Sequence, residues 1–331
     1  MASAAAAAPS RRRRRWPIAL AVVAALLVGL YLLARTPDIP AAELRAKYTN
    51  VESEFVEVAP GLTVHLRDEG PALGSVVMLL HGSNASLHTW EPWVEQLKAT
   101  HRVITYDQPG HGLTGTHPRD CYTAACFVQV VEAVAKNRKL DRFVIAGNSM
   151  GGWVAWNYAL AHPERVAGLV LVDASGAPLP PEIEPKPPIG FRIARTPGLN
   201  LVMRQITPRG MVEKSLRQSV TVQASVTPAV VDRYWELLRH PGNRRATALR
   251  FATERTVATP DKLAAITAPT LVMWGRGDKL VPVQAAEIFD AQIPNSRGVI
   301  YDGVGHIPME EAPYRSVADL TAFLAELGPF Y

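Results

Sequence analysis

Three residues of this sequence, Ser149, Asp278 and His306, have side chains that together can perform nucleophilic catalysis. A serine hydroxyl is a weak nucleophile, so it needs a base to take its proton and a further group to orient that base. Each of the three follows a short apolar run typical of a strand, in the order nucleophile, acid and base. Taken singly, Asp278 could be a turn residue and His306 a surface residue, but the joint pattern favours a triad.

The surroundings of Ser149 strengthen its assignment as the nucleophile. It stands in Gly-Asn-Ser-Met-Gly-Gly, between an apolar run at 143–146 and a segment from Trp153 that predicts a helix. Gly147 and Gly151 lack the Cβ atoms that would collide where such a strand and helix cross. An ordinary strand-to-helix loop is the alternative, because five-residue motifs also occur by chance. The flanking elements favour a nucleophile elbow.

The developing oxyanion of an acyl-transfer reaction needs backbone N–H donors. Met150 directly follows the nucleophile, so its amide is the first candidate. The loop at 81–86 follows the apolar run 76–80, and we assign the second donor to the amide of Ser83. The sequence therefore predicts an oxyanion hole made by Ser83 and Met150.

These residues require a scaffold in which strands alternate with helices. Apolar strand patterns occur at 76–80, 102–106, 143–146, 166–172, 270–274 and 298–301, with helical patterns between most of them, and a hairpin precedes them at 55–67. Alternation of this kind implies right-handed crossovers and a mostly parallel sheet with helices on both faces. We therefore expect an α/β fold over residues 55–328.

The alternation is interrupted between residues 176 and 266, where we find helical patterns and no strand. A proline-rich stretch begins this segment, and helices are expected at 191–195, 199–205, 211–220, 228–239 and 244–256. Such an insertion lies over the carboxyl ends of the strands, where ligands bind, so we interpret residues 176–266 as a helical cap. Trp235 and Arg244 are its candidate substrate contacts, although a solvated residue at the start of a helix is the favoured alternative for Arg244.

The N-terminus predicts a membrane anchor. A basic tail at 1–15, which we expect to be disordered, ends in five arginines and precedes 19 uncharged, mostly apolar residues at 16–34. That length crosses a bilayer as a helix. A cleaved signal peptide is the alternative, but its apolar region is usually shorter. With the arginines cytoplasmic, the linker at 35–54 and the rest of the chain would lie on the periplasmic or extracytoplasmic side.

Charge and cysteine content limit other functions. The net charge of +5 arises from the five N-terminal arginines, and the remaining chain carries 30 basic and 30 acidic residues, so no nucleic-acid partner is indicated. Cys121 and Cys126 could form a disulfide only if Cys121 precedes the helix expected at 123–138, and we favour unbonded cysteines.

Residues 55–328 resemble the α/β-hydrolase superfamily with a helical cap. The resemblance rests on the loop at 81–86, Asp-Gln-Pro-Gly-His-Gly at 107–112, the elbow, Trp-Gly-Arg-Gly-Asp at 274–278 and Gly-Val-Gly-His at 303–306. It implies an eight-stranded sheet, with Ser149 as nucleophile, His306 as base and acid, and Asp278 as its orienting partner. It also implies a structural role for Asp107.

The same resemblance leaves the cleaved bond open. Ester hydrolysis through an acyl-enzyme is the default, with a small, apolar acyl substrate and no metal or organic cofactor. Carbon–carbon bond hydrolases share the elbow but typically carry Trp soon after the histidine, where this sequence has Ile307-Pro308. Perhydrolase-like or haloperoxidase-like chemistry, and a non-catalytic cap-gated binding protein, are the further alternatives.

Overall fold

An eight-stranded sheet forms the centre of the computed structural model, which describes residues 15–183, 196, 198 and 204–330. The strands are β1 Ser53–Ala59, β2 Leu62–Glu69, β3 Val76–Leu80, β4 Arg102–Tyr106, β5 Phe143–Asn148, β6 Val166–Val172, β7 Thr270–Gly275 and β8 Ser296–Tyr301. Their order in the sheet is β1-β2-β4-β3-β5-β6-β7-β8. The expected α/β-hydrolase fold is confirmed.

Only the first two pairings of the sheet, β1–β2 and β2–β4, are antiparallel, and the other five are parallel. Strands β3, β5, β6 and β7 are buried along their whole length, as their continuous apolar runs require for a sheet covered on both faces. The carboxyl ends of these strands lie along one edge, where ligands of open parallel sheets bind.

Helices cover the sheet, and further helices precede β1 and follow β8 in the chain. They are α1 Arg15–Ala34, α2 Ala41–Tyr48, α3 Glu91–Leu97, α4 Ala124–Asn137, α5 Met150–Ala161, α6 Arg209–Ser219, α7 Pro228–Leu238, α8 Asn243–Ala252, α9 Pro260–Ala264, α10 Gln284–Gln292, α11 Pro308–Glu311 and α12 Pro313–Leu327. Helix α5 is almost wholly buried between its neighbours, which explains why Trp153 and Trp156 are core residues.

Helices α6 to α9 form the described part of the segment between β6 and β7, and the residues described there contain no strand. We call residues 176–266 the cap. The helices expected at 191–195 and 199–205 lie on or largely on residues outside the described ranges. The last expected cap helix ends at Ala252 rather than at residue 256, because Thr253 adopts an extended conformation.

Helix α1 is the one described helix that is long and apolar enough to span a membrane, over Trp16–Ala34. Signal sequences near an N-terminus share these properties. The linker that follows is attached to the cap: the Thr36 amide donates to the Gln205 carbonyl at 2.8 Å, and the Ile39 amide donates to the Arg239 carbonyl at 2.9 Å. The chain is therefore fixed to the cap directly after α1.

Cys121 and Cys126 form a disulfide, contrary to our expectation of unbonded cysteines. Their Cα atoms are 6.0 Å apart, within the usual range for a bridge. Helix α4 begins only at Ala124, after the side chain of Thr123 has capped its first turn. Cys121 therefore lies outside the helix and can turn back toward Cys126.

Candidate active site

The candidate nucleophile Ser149 occupies the sharp turn between β5 and α5. Its backbone has φ 54° and ψ −114°, a conformation that costs energy for a residue with a side chain. A Cβ on Gly147 would lie 2.2 Å from the carbonyl carbon of Gly151, so only glycine permits the strand and helix to cross here. The turn has the geometry expected of a nucleophile elbow.

His306 and Asp278 come together at the neighbouring strand ends. Asp278 follows β7 and His306 follows β8, and the His306 Nδ1 lies 2.7 Å from the Asp278 Oδ2 in a buried hydrogen bond. The Asp278 Oδ1 accepts from the amides of Leu280 and Val281, at 2.7 and 3.1 Å. With Nδ1 donating to the carboxylate, the Nε2 of His306 is the ring nitrogen that can accept a proton.

Asn148 connects this histidine to the elbow. It directly precedes Ser149, and its Nδ2 donates to the backbone carbonyl of His306 at 2.9 Å. A Cβ on Gly275 would lie 1.9 Å from the Gly305 carbonyl oxygen, so the end of β7 and the histidine loop are in close backbone contact. The fold therefore brings all three predicted triad residues to one place.

The expected oxyanion loop lies against the elbow. A Cβ on Gly82 would be 3.2 Å from the Cβ of Ser149, and the Ser83 hydroxyl contacts the Met150 sulfur at 3.5 Å. Met150 is the first residue of α5, so its amide has no acceptor within the helix. The geometry thus brings Ser83 into contact with Met150, next to the nucleophile.

Asp173 is a second buried carboxyl group at this site, and we did not predict it. It follows β6, its Oδ1 accepts from the Gly275 amide at 3.0 Å, and its Oδ2 has no partner among the described residues. One carboxylate oxygen of Asp173, one of Asp278 and a ring nitrogen of His306 all lie within 4.8 Å of one another. Burial, followed by the charge of Asp278, raises the pKa of Asp173 well above its usual value. An acid directly after a buried strand was the sequence signal for it.

Glu311 is a further buried residue that positions the site. Its carboxylate accepts hydrogen bonds from the backbone amides of the histidine loop and of the cap segment that crosses it: Gly305, Ile307, Thr221 and Val222. The His306 amide in turn donates to the Ser219 carbonyl at 3.0 Å. One side chain therefore ties the histidine loop to the cap. No pattern in the sequence indicates this role.

Trp235 and Arg244, the expected substrate contacts of the cap, have other partners. The indole nitrogen of Trp235 donates to the Thr207 carbonyl at 2.7 Å. The buried Arg244 guanidinium donates to the Thr36 carbonyl at 2.7 Å and to the Asp38 carboxylate at 2.6 Å. These contacts bind the cap to itself and to the linker, and the substrate role expected for both residues stays a prediction.

Asp107 has the structural position that the resemblance implied. Its carboxylate pairs with the buried His65 ring at 2.8 Å and accepts from the amides of Leu87 and Leu113, also at 2.8 Å. Burial opposes ionisation of Asp107, but the hydrogen bond from His65, followed by the nearby His65, His81 and His88 rings, holds its pKa far below its usual value. Asp107 therefore fixes the loops around the site without joining the triad.

Comparison with known proteins places the chain in a family. The family model for the alpha/beta hydrolase fold matches residues 75–313, which is most of the chain. The protein belongs to the α/β-hydrolase family, and its relatives establish it as a hydrolase.

Curated relatives differ in the bond they cleave. A 2-hydroxy-6-oxononadienedioate/2-hydroxy-6-oxononatrienedioate hydrolase of Cupriavidus pinatubonensis is 31% identical over 77% of this chain and 89% of its own length. The monoacylglycerol lipase abhd6-B of Xenopus laevis is 29% identical over 76% of this chain and 75% of its own.

Solved structures include two ester-cleaving relatives. A membrane phospholipase A described as a bacterial virulence factor has a TM-score of 0.71 at 26% identity, over 95% of this chain and 99% of its own. An esterase from Thermogutta terrifontis has a TM-score of 0.68 at 26% identity, over 84% of this chain and 99% of its own.

Proposed function

We propose that this protein is a membrane-anchored serine hydrolase that cleaves a carboxylic ester or a related acyl bond. The observation that carries the proposal is the hydrogen bond between His306 and Asp278 at 2.7 Å, beside a serine held on a strained strand-to-helix turn. This combination activates a hydroxyl for attack on a carbonyl carbon.

In the proposed mechanism the Ser149 Oγ attacks the carbonyl carbon while the His306 Nε2 takes its proton. Asp278 stabilises the resulting imidazolium through the Nδ1 hydrogen bond. The amides of Ser83 and Met150 donate to the oxyanion. His306 then protonates the departing alcohol, leaving an acyl-enzyme. Water then gives a proton to His306 and attacks the acyl carbon. When the acyl–oxygen bond breaks, His306 returns that proton to the Ser149 Oγ, which releases the acid and restores the free enzyme.

The proposed membrane placement has three supports. Helix α1 is long and apolar enough to span a bilayer, and five arginines precede Trp16 on what would be the cytoplasmic side. The disulfide between Cys121 and Cys126 suits an oxidising, extracytoplasmic compartment. The similar membrane phospholipase A matches 95% of this chain, so the likeness extends well beyond the sheet.

Carbon–carbon bond hydrolysis is the second candidate, favoured by the identity of 31% to a dienedioate hydrolase. The residues after His306 support esters instead. Carbon–carbon bond hydrolases typically carry Trp soon after the catalytic histidine, whereas Ile307 and Pro308 follow His306 here.

The decisive experiment uses the full chain in detergent and a p-nitrophenyl ester series from short to long acyl chains. We expect turnover that falls by at least about 10⁴-fold in Ser149→Ala, because triad members act as a unit. A serine-directed phosphonate should label the wild type and not the variant. Labelling without ester turnover would support the carbon–carbon candidate, and absence of both would contradict serine hydrolysis.

A further inference from the structure

Arg250, in the last turns of α8, is buried without an acidic partner among the residues that the structure describes. It is 2% exposed, and its Nη2 donates to the Asn84 Oδ1 at 2.9 Å. Its Nε and Nη1 have no hydrogen-bond partner in the part of the chain that the structure describes. Burial, and then the charge of Arg255, lower its pKa to about 9, so the guanidinium is still charged at neutral pH.

This arrangement is costly for a folded protein. A guanidinium loses its hydration on burial, and the loss is normally offset by a carboxylate or by a full set of hydrogen bonds. Buried polar groups without partners are rare in native structures, and each one needs an explanation such as a missing ligand. The Arg250 guanidinium carbon lies 5.3 Å from the centroid of the Phe251 ring, a cation–π contact that leaves the Nε and Nη1 donors unused. A bound anion would supply both the missing charge and acceptors for these donors.

The location of Arg250 indicates which ligand would supply that charge. Asn84, which accepts its one hydrogen bond, lies next to Ser83 in the oxyanion loop. A second cap arginine, Arg255, donates from its Nη2 to the Ser83 hydroxyl at 3.2 Å. The same loop reaches Ser149 through the close approach of Gly82. Two guanidinium groups of the cap are therefore attached to the loop beside the nucleophile.

A neighbouring side chain strengthens this interpretation. The charge of Arg250 is one of the causes that hold the pKa of the buried His111 well below its usual value, after burial itself. The His111 Nδ1 lies 3.1 Å from the Pro109 carbonyl, and its Nε2 has no partner among the described residues. Polar atoms without partners thus cluster at the ends of β3 and β4, under the cap.

We propose that Arg250, assisted by Arg255, binds an anionic group of the substrate, a carboxylate or a phosphate, beside the oxyanion loop. The proposal rests on the serine hydrolase function proposed above and adds a substrate class to it. Planar guanidinium groups bind carboxylate and phosphate oxygens through paired N–H donors, and the unpaired Nε and Nη1 of Arg250 can supply such a pair. The substrate is thus an ester with a negative charge a few bonds from its carbonyl carbon.

The alternative role for Arg250 is structural support of Asn84, and this role would use only part of the guanidinium. Arg250 and Thr247 both donate to the Asn84 Oδ1, at 2.9 and 3.1 Å, and Asn84 has a positive φ of 60° that needs support. That support requires only one guanidinium nitrogen. Thr247 therefore provides a control that disturbs Asn84 and leaves the charge in place.

The test compares ester pairs of similar size in the full chain in detergent. One pair is p-nitrophenyl hemiglutarate and its neutral methyl-capped diester, which places the charge in the acyl part. The other is butyryl glycerol 3-phosphate and monobutyrin, which places a phosphate in the alcohol part. The quantity measured is the ratio of kcat/KM for the anionic over the neutral member. The pair with the larger ratio identifies which part of the substrate carries the anion.

We expect Arg250→Gln to lower this ratio about 10- to 100-fold, the loss of a charge-assisted hydrogen-bonded pair. Arg250→Lys should retain part of the ratio, and Arg255→Gln should lower it to a smaller degree. Thr247→Val and the surface control Arg245→Gln should leave the ratio unchanged, since Arg245 pairs with the exposed Asp120.

An unchanged ratio in Arg250→Gln for both pairs would overturn the proposal, and so would an equal fall in Thr247→Val. Turnover of the neutral esters in wild type separates these results from a failure of the serine hydrolase function itself. If Arg250→Gln does not fold, inhibition of wild type decides the question. Glutarate or inorganic phosphate should inhibit neutral-ester turnover competitively, beyond chloride at equal ionic strength, and no such inhibition would contradict the subsite.

Discussion

At the scale of single residues, the site holds two carboxyl groups with different environments. Asp278 accepts from His306 and from two backbone amides, so its negative charge is well supported. Asp173 accepts from one amide and is fully buried, and these surroundings favour its protonated form. Because Asp173 and Asp278 lie close together, a protonated Asp173 avoids the repulsion between two neighbouring carboxylates.

Replacing Asp278 or Asp173 by asparagine should have different effects on kcat. Asp278→Asn should lower kcat for the best ester by about 10⁴-fold, because an amide holds the wrong histidine tautomer. Asp173→Asn should retain most of kcat, because asparagine offers the same acceptor and donor as the protonated acid. Steady-state kinetics on both variants checks this, and the reverse order of effects would make Asp173 the orienting acid.

Stability should respond to pH through Asp173. Because its native pKa is raised, the native state keeps a proton that the unfolded state releases near pH 4, so stability falls as pH rises above that value. Asp173→Asn removes this dependence. We expect the free energy of unfolding of the variant, relative to wild type, to increase from pH 4 toward pH 7 in urea titrations. A difference that stays constant with pH would show that Asp173 is ionised in the native state.

At the scale of elements, the strands and the elbow could be predicted because their signals are local. Continuous apolar runs identified β3 and β6, and two glycines beside Ser149 identified the turn to α5. Asp278 and His306 could be predicted as site residues because the residues that follow parallel strands meet at one edge of the sheet. The preference for unbonded cysteines is wrong, because α4 begins only at Ala124 and leaves Cys121 able to turn toward Cys126.

The residues that could not be predicted act across long sequence separations. Glu311 binds amides at Thr221 and Val222, about 90 positions earlier, and Arg250 contacts Asn84 across 166 positions. An isolated glutamate or arginine has no periodic signal. The contacts of Arg244 with the linker could not be predicted either, because Thr36 and Asp38 lie 208 and 206 positions earlier in the sequence. Whether the linker reaches Arg244 depends on tertiary packing.

The disulfide is also a feature of one element, because it joins Cys121, just before α4, to Cys126 in the first turn of that helix. Its loop is short, so the expected stabilisation is only about 2 kcal/mol on the chain-entropy account. Replacing Cys121 and Cys126 together by Ser should lower the free energy of unfolding by that amount. Thermal unfolding with and without reductant checks this, since reduced wild type should match the double variant. A reductant effect on the double variant would show that the disulfide is not its target.

At the scale of the whole molecule, the linker holds the cap. Arg244 donates to Thr36 and Asp38, Arg239 donates to the Pro37 carbonyl at 2.9 Å, and Lys47 pairs with Glu236 at 2.6 Å. These contacts join residues that are about 190 to 210 positions apart along the chain. The segment after α1 is therefore part of the catalytic domain's structure.

This attachment can be tested at Arg244. Arg244→Ala removes a buried guanidinium together with its hydrogen bonds to Thr36 and Asp38, so the free energy of unfolding should fall by about 2 kcal/mol. The exposed pair of Arg297 and Glu326 offers a control, and Arg297→Ala should have no measurable effect. Denaturant titration of the full chain in detergent measures both. Equal stability of the Arg244 variant and wild type would mean that the linker is held by its other contacts.

The shortness of the link between α1 and the cap has a kinetic consequence. Helix α1 ends at Ala34, and the Thr36 amide is already bonded to Gln205 of the cap. Two residues span at most about 7 Å, so an anchored enzyme would carry its cap at the bilayer surface. A substrate dissolved in the bilayer would then arrive by diffusion in two dimensions. Its effective concentration would be a mole fraction in the lipid, and dilution with inert lipid would slow the enzyme at constant total substrate.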